Sequence, residues 1–568
     1  MVTPLVLHPA SLTAGWEGDN MYCIRLFWWA KFVVDRGASP FWDPTSFFPH
    51  GHEVASGEMS PANAYLMIPV TMLWGPLVAY NVTLLLSFVM TGFGTYLWIR
   101  WLTGSFAAGL VAGVIAAFLP FRFAHLVGHL MIVSTHWVPF ALYSFDRFLD
   151  SKRTRWAMAL GATTAMVALC SWYFAYSIAL MLPLYALVRS RPWRQQWDSG
   201  WWRGIGVAVA VAAALVLPFM VPYIIARSEH RLVRSIAEME FWSLNFYDLW
   251  LPNSFNPVFN QFMLNWFPQQ ATQWVERGVT VGATAFLLAM IAVFARRRHP
   301  AIAGLIVVWV VSYLIALGPT LHSGDRPILV PMPKPAVAAA AKLLSLTPSL
   351  DRVRTDILNH QAFAIPMPSL LLFVLVPMTD GMRVMARFGM WTGIMTAALA
   401  GWGLAILFEW RRRRFGENRA FVPAVVAMVC ALVLFEFRSE VITMPVAPRA
   451  VDQWLATQPK DAAVIDLPVE QTFRLIQNYY KTVHEMPTPF GRVGDAFEPY
   501  ILKERREVLK EFPSDRSIAA LRDWRVRHVL FTPALIPDWP AFKARVDGFA
   551  DLKPDREIDG VVVYRLAE

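Results

Sequence analysis

Apolar residues run almost unbroken over 77–101, 105–121, 130–149, 156–171, 172–189, 204–226, 277–295, 300–318, 361–379, 386–409 and 420–437, with a shorter apolar piece at 62–76. Stretches of this kind approach or reach the roughly 20 residues that carry a helix across a bilayer. Pro366 and Pro368 break the stretch at 361–379, which is predicted to be re-entrant or half-spanning, where neighbouring protein satisfies its backbone. Between 15 and 59 the pattern changes. Tyr22, Leu26, Trp29 and Val33 recur at helical spacing with Arg25 and Lys31 interleaved, predicting an amphipathic helix in a membrane interface that ends at Gly37. Pro40, Pro44 and Pro49 then impose an extended, turn-rich path to Gly51. After about residue 438 short alternating runs (DAAVIDLP, VRHVLFTPAL, GVVVYRLA) separate helical stretches such as VDQWLATQ. The fold class expected is mainly α: a polytopic helical membrane domain of about 10–12 transmembrane helices over 1–439, then a small soluble α/β domain over 440–568 that folds by itself.

Composition excludes a soluble chain, because 56% of the 568 residues are hydrophobic, only 16% are charged and the mean hydropathy is +0.41. The net charge of +10 would otherwise raise nucleic acid as a partner. Here the bases cluster between apolar stretches, at Arg147 to Arg155, Arg189 to Arg203, Arg296 to Arg298 and Arg411 to Arg414, which is the positive-inside pattern. These loops are expected in the cytoplasm. Counting spans from them places 15–59, 227–276, 320–360 and the domain after 440 outside, on a bacterial inner or plasma membrane. Cys23, Cys170 and Cys430 build no disulfide framework. Residues 1–10 have neither a basic n-region nor a full span, so a spanning helix is expected upstream of the sequence.

The loop 15–59 concentrates polar chemistry in a chain that has little of it. Glu17 and Asp19 stand at its head, and Arg25, Asp43, His50, His52, Glu53 and Glu58 follow. Carboxylates there can cap a helix or serve as acid and base, and the clustering favours the second role. His125, His129 and His136 are spaced so that only the first two, one helical turn apart, can share a ligand. A third ligand and a zinc-protease context are missing, so a metal ligand set stays unassigned, and His125 and His129 with Arg122 are read as holding an anionic group. Arg383 and Arg387 lie one turn apart at the end opposite the other basic clusters, suiting a lipid phosphate, with headgroup snorkelling as the structural alternative. The sequence contains no phosphate-binding GxxxxGK[ST] loop, no GxGxxG after a strand and no GxSxG.

The acidic GWEGDN, the helix after it, the proline-rich FWDPTSFFPHG, the many spans and the C-terminal soluble domain together resemble the GT-C superfamily of membrane glycosyltransferases. That resemblance implies transfer of a sugar from a polyprenyl-phosphate donor to an extracytoplasmic glycan, lipid or protein acceptor. It gives Asp19 the role of general base with Glu17 as helper, Arg383 and Arg387 the donor phosphate, and leaves room for a divalent metal, Mg or Mn. The alternatives are a flippase or transporter for lipid-linked sugars and a non-enzymatic protein of polysaccharide assembly. A transporter is expected to place ionisable residues along its spans, and these are scarce.

Overall fold

The computed structural model describes the chain except residues 1, 231–233, 268–274, 325, 346–349, 417, 419, 473, 492–499 and 568. After strand β1 (Leu12–Ala14) and helix α1 (Asp19–Arg36) comes the helical bundle. It comprises α2 (Pro76–Thr103), α3 (Phe106–Ala117), α4 (Pro120–His125), α5 (Leu130–Val133), α6 (Trp137–Ser151), α7 (Thr154–Cys170), α8 (Trp172–Arg189), α9 (Ser199–His230), α10 (Ala283–Arg296), α11 (Pro300–Ala316), α12 (Gly389–Phe415) and α13 (Phe421–Glu436). Among the described residues five helical stretches are long and apolar enough to cross a membrane, and α10, α11 and α13 are shorter apolar helices. The stretch at 361–379 makes a short strand and an eight-residue helix, Pro368–Leu375, in keeping with its prolines. Only Ser171 joins α7 to α8, a tight hairpin that returns the chain to the end it came from.

Helix α12 is the axis of the bundle, buried without interruption from Gly389 to Leu404. Gly403 lets it approach so closely that a Cβ there would lie 1.8 Å from the carbonyl oxygen of Leu288 on α10. The basic loops gather at one end of the bundle. Arg189 reaches Asp146 and Asp150, Lys152 donates to the Gln196 carbonyl, and Arg296 pairs with Glu409.

The C-terminal part carries β2 (Thr443–Pro445), β3 (Ala463–Leu467), β4 (Val526–Phe531), β5 (Leu552–Ile558) and β6 (Val561–Leu566). The last four form a sheet in the order β5-β6-β4-β3, with β3 and β4 parallel and the rest antiparallel. Three of these strands match the alternating runs of the sequence; β5, LKPDREI, is a charged edge strand exposed over most of its length. The unit expected to fold by itself makes extensive contacts with the first loop. β1 pairs with β2, Phe47 is buried in the core of the C-terminal sheet, and the Phe48 N–H donates to the Thr488 carbonyl. Arg25 on α1 donates to Asp43 and, at 2.7 Å, to Ser46. Lys481, on α14 (Gln477–His484), donates to Ser46 at 2.7 Å and to the Thr45 carbonyl at 2.8 Å. Helix α1 is mostly buried, packed against both α2 and α14.

Candidate functional site

The site forms where the first loop meets the broken end of α3. Pro120 cannot continue the α3 hydrogen-bond ladder, so the chain restarts as α4, and carbonyls at the α3 C-terminus need other donors. Arg122 supplies them. It is 1% exposed and donates to the Ala117 carbonyl, Ser87 Oγ and the Val133 carbonyl. The structure thus places Arg122 in a backbone-satisfying role, outside the cavity described below. Gly15, with φ +86°, brings the first loop against this segment, because a Cβ there would lie 2.1 Å from the Val127 carbonyl oxygen. Asp19 comes beside His129 as a result, 3.8 Å from Oδ2 to Nε2.

His125 is buried on the last turn of α4, and its Nδ1 lies 2.8 Å from the Phe121 carbonyl, which assigns the ring proton to Nδ1. Its Nε2 then faces Glu276 Oε2 at 3.0 Å. A lone pair against a carboxylate is unfavourable, so either a second proton or a shared cation reconciles the two. Arg387 grips the same carboxylate with two bonds, Nε to Oε2 at 3.1 Å and Nη2 to Oε1 at 2.6 Å, and lies over the Tyr173 ring. Burial alone would raise the Glu276 carboxyl, but Arg387 and His125 outweigh it and hold it well below the usual carboxylate range.

His125, His129 and Glu276 offer ligand atoms within 4.8 Å of one another. The Nδ1 of His129 is buried without a hydrogen-bond partner, 4.0 Å from Glu276 Oε1. Burial, the largest influence, lowers the His129 imidazole to about 4, so it is neutral and able to ligate near pH 7. These donors fit a divalent ion. Two imidazoles and a carboxylate suit a first-row transition ion such as Mn²⁺ better than Mg²⁺, which prefers oxygen and water. The carboxylate of Asp19, 3.8 Å from His129 Nε2, stands on the side of the ring where a ligating histidine takes its outer partner.

A cavity of about 500 Å³ opens beside this cluster, lined by Asp19, Tyr22, Glu58, His129, Arg234, Arg383 and Arg387 together with Trp172, Tyr173, Leu180, Met220 and Val376 among others. Its lining thus combines ionisable and apolar side chains. Burial, against the weaker pull of Ser171, Arg387 and the Trp172 backbone, pushes the Glu58 carboxyl up to about 7. Ser171 Oγ donates to it at 3.1 Å. Arg383 lies over the Trp242 ring, and its backbone N–H donates to the Tyr173 hydroxyl.

Of the residues singled out from sequence, Asp19, His129, Arg383 and Arg387 line the cavity, and His125 adjoins it through Glu276. Glu17 turns the other way, accepting from Arg474 at 2.7 Å and from the Ile476 N–H at 3.1 Å. Asp19 is the first residue of α1 and not its cap. Gly18 occupies the cap position, and the Asn20 side chain accepts from the Gly18 and Met21 N–H groups. Glu276 escaped the sequence reading, and Glu58 entered it only as one polar residue of the loop.

The family described as "Domain of unknown function (DUF6311)" matches over residues 2–345. No curated protein matches the chain. Among solved structures, arabinofuranosyltransferase AftD from Mycobacteria matches at 13% identity with a TM-score of 0.55, covering 100% of this chain and 39% of that one. The archaeal oligosaccharyltransferase AglB from Archaeoglobus fulgidus, solved with an inhibitory peptide and a dolichol-phosphate, matches at 12% identity and a TM-score of 0.42 over 92% of this chain and 66% of that one. ArnT from Cupriavidus metallidurans, bound to undecaprenyl phosphate, matches at 12% identity and 0.41 over 99% and 96%. The likeness to AftD is one of fold, and it is the GT-C fold that the sequence resemblance implied. The chain spans less than two thirds of the length of AftD and of AglB.

Proposed function

Because the chain belongs to the DUF6311 family, whose description names no chemistry, we propose its function from the site: a membrane glycosyltransferase that moves a sugar from a polyprenyl-phosphate donor to an acceptor hydroxyl or amide outside the cytoplasm. The observation that carries this reading is the cavity, whose lining combines two carboxylates and three arginines with apolar side chains. A lipid-borne phosphate needs that combination, cations for the headgroup and apolar lining for the first carbons of the tail.

For a hydroxyl acceptor, its oxygen attacks the anomeric carbon of the donor and the bond from that carbon to the phosphate oxygen breaks. The departing polyprenyl phosphate keeps the electron pair, and Asp19 takes the acceptor proton. Arg383 and Arg387 stabilise the charge that develops on the phosphate. Arg387 uses two of its five N–H donors on Glu276 and retains others for the donor. Glu58, protonated below about pH 7, leaves the field of Arg387 undivided and can donate a hydrogen bond to a sugar oxygen. A divalent ion held by His125, His129 and Glu276 would add positive charge on the phosphate side.

The test is turnover in proteoliposomes. Polyprenyl-phosphate sugars are supplied with candidate acceptors and the release of polyprenyl phosphate is followed by mass spectrometry, with Asp19→Asn as control. Release by the natural chain and its loss in the folded variant support transfer. Movement of intact donor between leaflets without cleavage would replace this reading with the transporter.

A further inference from the structure

A second cavity, about 600 Å³, lies at the other end of α12. A rise of 1.5 Å per residue puts Arg411 roughly 36 Å along the axis from Arg387. Arg296, Arg411, Arg412, Trp402, Glu409 and Ser105 are among the residues that line it, where the ends of α10 and α12 meet the starts of α3 and α13. Among the described lining residues the one carboxylate is already engaged, since Glu409 accepts from Arg296 at 2.6 Å and from Arg413. Arg411 is held rigidly: it donates to the Gly416 carbonyl at 3.0 Å and lies over the rings of Phe415 and Phe421. Arg412 forms no ion pair among the described residues.

Trp402 supplies an independent sign. It is 6% exposed and lines the cavity, yet its indole N–H has no acceptor among the described residues. A buried donor without a partner is rare in a folded protein and calls for an explanation. Among its described lining residues the cavity therefore joins surplus positive charge to an unanswered donor. It sits at the bundle end where Arg147 is sandwiched between Trp101 and Trp156, the aromatic and basic mixture of a bilayer surface.

We propose that this cavity binds the phosphate of an anionic amphiphile, at the opposite membrane face from the transfer site. A phosphate brings several acceptor oxygens to donors that have none, and basic pockets between membrane helices take lipid headgroups in this way.

The test is native mass spectrometry of the full chain in neutral detergent, titrated with phosphatidylglycerol or with phosphatidylcholine of the same acyl chains. The key variants are R412Q, R414Q and W402F. Arg412 and Arg414 are both exposed and one turn or less apart, so either change removes one charge from the same helix end, but only Arg412 lines the cavity. R412Q is expected to weaken phosphatidylglycerol binding about fivefold, the effect of one basic residue near a membrane surface, and R414Q less than twofold. W402F, which keeps a ring and removes the N–H, is expected to weaken it as well. Thermal melts of the three variants confirm folding. Displacement of the lipid by millimolar inorganic phosphate would show that a soluble phosphate fills the same site, and its retention that the lipid must bring the phosphate. Equal weakening by R412Q and R414Q would reduce the effect to diffuse surface charge and overturn the site. So would equal binding of the two lipids, or full retention by both R412Q and W402F.

Discussion

Glu58→Gln separates the charge of one partly buried carboxyl from its shape. The glutamine mimics the protonated acid, and Glu58 titrates near pH 7 in the folded chain against about 4.5 when unfolded. Because the folded value is raised, the natural chain has its full stability below about pH 4.5. It loses stability as pH rises to about 7 and is level above that. The difference of about 2.5 pH units corresponds to roughly 3 kcal/mol at 1.36 kcal/mol per unit. Glu58→Gln should therefore melt like the natural chain near pH 4.5, and become the more stable of the two by pH 7 to 8. A second readout comes from the donor. On the proposed reading, ionised Glu58 competes with the donor phosphate for Arg387, so the natural chain's donor KM should climb above pH 7, approaching tenfold per unit if only the protonated site binds, while the variant's KM stays flat. Parallel melting curves from pH 5 to 8 would refute the raised carboxyl. Divergent melting with identical KM profiles would leave the carboxyl perturbed but remove it from donor binding.

Asp19→Asn should cost only a few tenths of a kcal/mol in stability, because Gly18 and Asn20 manage the start of α1, while transfer falls by roughly two to four orders of magnitude as for loss of a general base. Unchanged turnover in a folded variant would transfer the role to another carboxylate. His129→Ala should lower bound Mn²⁺, measured by elemental analysis after equilibration, by at least tenfold, and equal loading of variant and natural chain would remove the triad as a metal site. Asp43→Asn strips the partner from buried Arg25 and Lys481 and should destabilise by about 3–5 kcal/mol, read as a large drop in melting temperature. A melting point within a degree or two of the natural chain would mean that the first loop is not anchored through this cluster.

Patterns spanning a few turns were readable in advance, and partners far apart in the chain were not. The helical period of 19–36 and its stop at Gly37 followed from local spacing, as did three of the four strands of the C-terminal sheet. Arg387 stood out because it lies at the end opposite the other basic clusters. Its partner Glu276 is 111 residues away, in WVERGVT, where no spacing rule marks it. The one clue was a carboxylate directly before an apolar run in a chain with few charges. Glu17 and Asp19 read as a pair because they are two apart. Residues at that spacing do not share a face, and the fold sends one toward Arg474 and the other toward His129. His125 and His129 do come close together, beside Glu276, but the chain is not one helix there; it breaks after His125 and resumes at Leu130.

The pairing of β1 with β2 also has a meaning in time. Thr13 and its partner Met444 leave the ribosome 431 residues apart, an interval of about 20–90 s at ordinary elongation rates. Throughout that interval the loop bearing Asp19 has no strand to pair with, no Lys481 and no Arg474. A nascent chain can insert its helices before these contacts exist, so the first loop gains its strand partner and its ion-pair and hydrogen-bond partners only once residues 443–481 have been made.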